Sequence, residues 1–300
     1  MTDLGSPGAA DPSLHRLELL LGKETLAVLK ETAVLVVGLG GVGSWAAEAL
    51  VRSGIGRITI VDSDSVCVTN INRQVQALPA TVGLPKAAAL MKRLLDINPR
   101  CEVRAFNQVF SQKTAGLFEL EKAAYVIDAI DTLTCKLDLI EFAAALALER
   151  GGPRLFSSMG MACRLDPVRL RTADIWDTTG CPLARLVRQG LRKRGFTGGF
   201  TVVYSDEEPV SGGDGTFCGT SRCLCSNKDT EWCSSKKSIN GSSVTVTASA
   251  GMILASLVIR DIYARIAGIR RETERIPELR KAQELRKTQE LHEPPEARRG

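Results

Sequence analysis

Apolar residues along this chain follow two rhythms. Short β-branched or apolar runs occur at Ala33–Val37, Ile58–Val61, Ala124–Ala129 and Arg154–Ser158. Uninterrupted runs of this length predict strands of a buried parallel sheet. Between and around them lie stretches with helical spacing or alanine-rich composition, at Leu17–Leu29, Ser44–Val51, Ala87–Leu95 and Leu183–Leu191. The alternation predicts an α/β fold with a mostly parallel central sheet flanked by helices. Residues 195–243 are rich in Gly, Ser, Asp and Cys, which predicts a long loop suited to covering a site. Val244–Ile259 is apolar and rich in small residues. It is short for a membrane span and interrupted by Thr and Ser, so a buried helix is expected and no integral membrane insertion. From Arg270 the chain reads ELRKAQ, ELRKTQ, ELHEPP. That six-residue period drifts around a helix, so the tail over 269–300 is expected to be a charged solvated helix or disorder.

The first strand runs into Gly38, Gly40, Gly41 and Gly43, a G-x-G-x-x-G turn followed by a helix. Glycines allow a tight turn and close approach of backbone N–H groups to phosphate, and the helix N-terminus favours an anion. Asp62 ends the second strand, where a ribose hydroxyl can be bound. The turn alone is a weak signal, but strand, turn, helix and acid together point to a nucleotide site.

The next segment separates phosphate-activating chemistry from hydride transfer. Thr69, Asn70, Ile71, Asn72 and Arg73 follow Asp62 closely, and Lys86 opens an apolar helix. A guanidinium forks onto phosphate oxygens and an ammonium meets them as a point charge. Alone, each cation reads as an ordinary surface residue. Together, after an acid-tipped strand, they suit a bound triphosphate. A third strand ends in Asp128 and Asp131. A carboxylate there suits Mg²⁺ beside phosphates, and Asp131 equally suits a helix N-cap.

Composition changes the picture little. Hydrophobic residues make up 44% of the 300, charged residues 24%, and net charge is +5, so nucleic-acid contact must rest on local patches. One patch comprises Arg185, Arg188, Arg192, Lys193 and Arg194 on a helix whose spacing predicts that Leu183, Leu186, Val187 and Leu191 face inward. It reads equally as a solvated face or as a phosphate contact. The nine cysteines are odd in number and scattered, which suits reduced thiols. Cys218, Cys223, Cys225 and Cys233 lack paired Cys-x-x-Cys spacing, so unligated loop thiols are favoured over a zinc site. His15 and His292, near the termini, do not read as a general base. Residues 1–12 show neither a secretory h-region nor an arginine-rich transit pattern, so a cytoplasmic setting is expected.

The segments GLGGVGSW, VDSDSV, TNINRQ, VGLPK and VIDAIDT resemble the ThiF/MoeB family of ubiquitin-activating-enzyme-like adenylating proteins. Within it, SGIG at Ser53–Gly56, VCVTN at Val66–Asn70, INP at Ile97–Pro99 and DGTFC at Asp214–Cys218 are similar to the tRNA threonylcarbamoyladenosine dehydratase group. The resemblance spans roughly residues 20 to 268 and implies a Rossmann-like ThiF-type adenylating domain over 13–268. Its nucleotide half would be 31–160 and its substrate and dimer half 161–268. It implies ATP with Mg²⁺, a homodimer, a tRNA carrying threonylcarbamoyladenosine, and a possible sulfur-transfer partner. It places the ATP contacts on Gly41, Asp62, Thr69 to Arg73, Lys86 and Asp131, with Arg73, Lys86 and Asp131 catalytic and Asp131 on Mg²⁺. The implied reaction cyclises the threonylcarbamoyl group through an acyl-adenylate. The chain departs from the family pattern in two places. Leu19 stands where the family has an arginine that reaches the partner's site, with Arg16 one helical turn earlier, and Cys181 replaces the Asp of an Asp-Pro-Leu segment. Family members on mitochondrial membranes leave peripheral attachment open. The competing readings are adenylation of a sulfur-carrier C-terminus, an NAD-dependent oxidoreductase and a non-catalytic adaptor.

Overall fold

The computed structural model describes residues 11–210 and 240–292. Seven strands, β1 Ala33–Val37, β2 Arg57–Val61, β3 Glu102–Phe106, β4 Tyr125–Asp128, β5 Arg154–Ser158, β6 Leu170–Asp174 and β7 Thr201–Ser205, form one sheet. Their order is β3-β2-β1-β4-β5-β7-β6. All neighbouring pairs are parallel except β6 with β7. The helices are α1 His15–Leu21, α2 Lys23–Glu31, α3 Gly43–Arg52, α4 Lys86–Ile97, α5 Leu133–Arg150, α6 Pro182–Lys193 and α7 Val244–His292.

The period-2 alternation of the strands divides the core in two. Val34, Val36, Ile58 and Ile60 face one layer with Leu50 of α3, Leu90 and Leu94 of α4, and α7. Leu35, Val37 and Val61 face the other, with Leu139 and Ile140 of α5 and Val187 and Leu191 of α6. Full burial of each such side chain contributes roughly 1.5–3 kcal/mol, so both faces of the sheet are hydrophobic by necessity. Strand order reverses between β1 and β4, and ligands in open α/β sheets bind at the carboxyl ends there.

Three expectations change. The helix expected over Leu17–Leu29 is two helices, because Gly22 at φ 81 interrupts the turn. The loop expected over 195–243 contains β7, whose Val202 and Val203 face opposite cores. Its Cys218, Cys223, Cys225 and Cys233, with the DGTFC segment, lie outside the described residues. The helix expected over Val244–Ile259 continues to His292, well into the charged tail.

The apolar stretch Val244–Gly268 has the length and composition to cross a membrane, with mean hydropathy 1.4. Here it is a core element. Val246, Ala250, Leu254, Val258 and Ile262 recur at i+4 and are completely buried. A Cβ on Gly251 would stand 2.5 Å from the Val42 carbonyl oxygen, so only glycine lets α7 seat against the start of α3. Glu48 of α3, almost wholly buried, is paired with Arg52 at 2.8 Å and with Arg93 of α4 at 2.6 Å.

Candidate nucleotide and active site

The glycine turn after β1 is fixed by its surroundings. Gly38 sits at φ +89, and a Cβ on it would stand 2.6 Å from the Ala129 carbonyl oxygen at the end of β4. A Cβ on Gly43 would fall 1.8 Å from the Gly38 carbonyl oxygen. These two glycines close the turn. Gly40 differs, because nothing lies within 4 Å of where its Cβ would be. Neither Gly40 nor Gly41 donates its backbone N–H to a partner among the described residues. Open space, unpaired N–H groups and the N-terminus of α3 together make an anion cradle. Gly41 is closed behind by Thr247 of α7, with Arg73 Cγ 3.3 Å from its Cβ position. Ser44 locks the turn by donating to the Gly40 carbonyl at 2.7 Å. Gln76, 1% exposed, donates to the Leu39 carbonyl at 2.9 Å, and its Oε1 is enclosed without a partner.

Asp62 lies beside this cradle. Its Oδ2 accepts from Leu39 N–H at 2.6 Å and its Oδ1 from Asp64 N–H at 2.8 Å. Lys86 is 3.7 Å from Asp62 Oδ1 and 2.8 Å from Asp64 Oδ2. Burial acts to lower the Lys86 pKa, but the carboxylates of Asp62 and Asp64 outweigh it and hold it above its ordinary value. Burial pushes the Asp62 carboxyl up, against the pull of Lys86 and the two N–H donors. Lys86 is therefore a fully charged ammonium on the rim of the cradle. Asp64, two residues past Asp62, is a site residue that sequence reading missed.

Arg73 approaches from the turn after the 3-10 segment Val68–Asn70. Its Nη1 donates to the Thr69 carbonyl at 2.8 Å and to Asn72 Oδ1 at 3.0 Å, while its own carbonyl accepts from Trp45 Nε1 at 3.0 Å. Asn72 donates to the Ser242 carbonyl at 2.9 Å. Asn70 is buried and organises the turn, accepting from Cys67 N–H at 3.0 Å. Thr69, Ile71 and Asn72 are exposed.

The two acids at the end of β4 part ways. Asp128 is completely buried and paired with Lys136 at 2.6 Å. It also accepts from Ser157 Oγ at 2.6 Å and from Ile130 N–H at 3.1 Å. It is committed to the scaffold and unavailable to a metal. Asp131 is exposed, and among the described residues only the Thr132 hydroxyl donates to it, at 3.4 Å. Asp131 also acts on Lys86 electrostatically, so the acid and the ammonium share one field. No cluster of three or more potential metal ligands occurs among the described residues.

The basic helix α6 also divides. Arg194 is tied to Asp138 at 2.8 Å and to Glu141 at 2.6 Å. Arg188 donates to Thr178, and Arg192 stacks over the Trp176 ring at 5.3 Å. Arg185 and Lys193 are exposed, and so is Leu186, which the helical spacing predicts to face inward. Arg16 and Leu19 are both exposed on α1.

The chain matches the ThiF family over residues 13–299. It is 48% identical to the tRNA threonylcarbamoyladenosine dehydratase of Bacillus subtilis over 65% of this chain and 75% of that protein. Identity to the Escherichia coli protein of the same name is 34%, over 83% of this chain and 92% of the relative. Among solved structures, Escherichia coli TcdA in complex with ATP superposes with a TM-score of 0.70 at 32% identity, covering 85% of this chain and 95% of that one. The complex of the same protein with AMP gives 0.72 at 31% identity, over 87% and 99%. A match along nearly the whole chain, joined to the sheet order and glycine cradle described above, makes this protein a member of the ThiF family.

Proposed function

We propose that this protein catalyses ATP-dependent dehydration of N6-threonylcarbamoyladenosine in tRNA to its cyclic form, through an acyl-adenylate on the threonine carboxylate. The observation that carries this reading is the cradle itself: open space at Gly40, with Lys86 and Asp62 on its rim and Arg73 Cγ 3.3 Å from the Cβ position of Gly41. The likeness to a dehydratase solved with ATP supports it.

The residues divide the work. Asp62 is placed to accept from a ribose hydroxyl, and the N–H groups of Gly40 and Gly41 to meet phosphate oxygens. Lys86 has three N–H donors; two can face Asp64 and Asp62, leaving one for phosphate. Arg73 supplies a second positive charge beside Gly41. Charge that develops on phosphate oxygens as the carboxylate attacks is stabilised by such fixed cations, and removing one positioned donor typically costs ~10²–10³-fold in rate. Asp131 fits Mg²⁺, which takes one or two carboxylates together with phosphate oxygens. Bound there, the ion would neutralise phosphate charge.

In the first step a carboxylate oxygen bonds to the α-phosphorus, the bond to the bridging oxygen breaks, and pyrophosphate leaves with the electron pair. In the second, a nitrogen of the same modification attacks the acyl carbon, loses its proton, and AMP departs. This attack is intramolecular, so proximity replaces an enzyme nucleophile. This mechanism assigns no role to the five described cysteines, Cys67, Cys101, Cys135, Cys163 and Cys181.

Mass spectrometry of nucleosides from modified tRNA, before and after incubation with protein and ATP, tests the assignment. The expected result is loss of one water from the threonylcarbamoyl nucleoside with release of AMP. An unchanged nucleoside would refute the assignment.

A further inference from the structure

The loop between β5 and β6 inverts the ordinary placement of side chains. Arg164 is 2% exposed, while its neighbour Leu165 is 63% exposed and Val168 is 78% exposed. A guanidinium keeps its charge and offers five N–H donors, and burial without partners is strongly unfavourable. Nε and Nη1 of Arg164 are enclosed and have no hydrogen-bond partner among the described residues. The backbone just before it is also unusual. Cys163 has φ 57, a left-handed conformation that residues with a Cβ rarely adopt and that concentrates at ligand sites.

This loop stands on the same rim as the nucleotide cradle. It leaves the carboxyl end of β5, two strands from β1, or about 10 Å at the usual strand spacing. Two hydrogen bonds tie it to the cradle. Cys163 N–H donates to the Gly241 carbonyl at 2.8 Å, and the carbonyl of the next residue, Ser242, accepts from Asn72 beside Arg73. A third bond, from Val210 N–H to the Cys163 carbonyl at 2.8 Å, fixes the other side of the loop. Asp62, at the end of β2, holds the ribose side of the cradle, on the far side of β1 from this loop. A second substrate therefore has the β5 side for its approach, where a buried charge waits without a counter-ion among the described residues.

We propose that Arg164 receives the carboxylate of the substrate that is to be adenylated, holding one oxygen while the other faces the α-phosphorus. The identity of that carboxylate, the threonine group of the modified adenosine, rests on the proposed function. The attacking oxygen forms its bond to phosphorus, pyrophosphate leaves with the electron pair of the broken bond, and Arg164 gives up no proton. Arg164 is thus a selectivity residue, which distinguishes a free acid from a neutral relative of the same shape.

The test compares wild type, Arg164→Met and Arg164→Lys, each as the full chain. Each is titrated with N6-threonylcarbamoyladenosine and with its methyl ester, in the presence of an ATP analogue that cannot be cleaved between the α- and β-phosphorus. ATP affinity, thermal unfolding without ligand and conversion of modified tRNA are measured alongside. Wild type is expected to prefer the acid at least tenfold. Arg164→Met is expected to lose that preference with ATP affinity unchanged and unfolding temperature no lower, and Arg164→Lys to retain part of it. An Arg164→Met protein that keeps the preference, loses ATP affinity or unfolds at lower temperature overturns the proposal. Wild type that prefers the acid, with the preference lost in Arg164→Met, but leaves tRNA unconverted supports the role of Arg164 and removes the dehydratase reading. Conversion of tRNA without any acid preference does the reverse.

Discussion

Lys136 Nζ lies 2.6 Å from Asp128 Oδ2, and neither side chain is exposed. Lys136 also donates to the Ser158 carbonyl at 3.0 Å, and Ser157 Oγ donates to the same Asp128 oxygen at 2.6 Å. The group joins the ends of β4 and β5 to the first turns of α5. Asp131 lies on the short connection between β4 and α5, so this buried pair sets where the exposed acid stands. Lys136→Met leaves a buried carboxylate without its counter-ion, which typically costs about 3–5 kcal/mol. The double variant with Asp128→Asn should recover part of that loss. Urea unfolding of the two single variants and the double measures the coupling, and additive losses would show that the pair is not a unit.

The glycines of the cradle should separate folding from binding. Gly43→Ala sets a methyl group against the Gly38 carbonyl oxygen, 1.8 Å away, so the turn must shift and stability must fall. Gly40→Ala meets nothing within 4 Å. It should leave the unfolding temperature within about a degree or two, in line with the ~0.5 kcal/mol ordinary for a site that makes no contact. Its methyl group would nevertheless occupy the phosphate space, so ATP affinity should fall at least tenfold. Differential scanning fluorimetry with ATP titration checks both, and equal ATP affinity for wild type and Gly40→Ala would move the phosphates elsewhere.

Much of this was legible in the sequence because its signals are local. β1 and β5 have the expected ends, and β2 begins one residue earlier than expected, at Arg57. Strand–glycine–helix spacing and an acid at the second strand's end require only neighbouring residues. What stayed hidden depends on partners far along the chain. Thr247 closes the cradle behind Gly41, yet nothing in VTVTASAG indicates a nucleotide site. Nothing in LTCKLDLIEF marks Lys136 as buried; Asp128, Ser157 and the Ser158 carbonyl hold its ammonium in the core. Arg194 reads as part of a basic stripe, but Asp138 and Glu141 of α5 occupy it. Gly22 yields two helices because its φ of 81 lies outside the helical region.

Arg73 and Lys86 should be separable by what each loss leaves behind. Arg73→Ala removes a partly exposed charge whose contacts include the Thr69 carbonyl and Asn72, so the fold should persist while adenylation falls ~10²–10³-fold. Lys86→Ala also strips the counter-ion from half-buried Asp62 and from Asp64, so it should lose both stability and activity. Circular dichroism with pyrophosphate-release assays distinguishes the two, and near-normal turnover of Arg73→Ala would remove that residue from the mechanism.

Glu48 gives the fold an acid limit. Burial acts to raise its pKa, but hydrogen bonds and charge from Arg93 and Arg52 prevail and hold it below the ordinary 4.5. A carboxylate with a depressed folded pKa adds stability that is complete above its unfolded value and is lost as pH falls through the folded one. Wild type should therefore lose stability below about pH 4.5. Glu48→Gln should be less stable at neutral pH and lose less on acidification. Urea midpoints measured from pH 7 downward test the sign, and parallel curves for the two proteins would contradict it.

The basic helix α6 presents fewer usable charges than its sequence suggests. Arg194 is neutralised by two acids, Arg188 serves Thr178, and Arg192 lies over Trp176, while Arg185 and Lys193 stand exposed. If tRNA phosphates meet this helix, the double variant Arg185→Ala/Lys193→Ala should weaken binding about equally for all tRNA sequences. It should also lower the slope of log affinity against log salt by ~0.7–0.9 for each phosphate that is no longer neutralised. Arg194→Ala should act on stability instead, by about 1 kcal/mol or less for a partly exposed pair. Filter binding across a salt series, with unfolding measured in parallel, decides between a phosphate-binding face and a merely solvated one, because a solvated face would leave the salt slope unchanged.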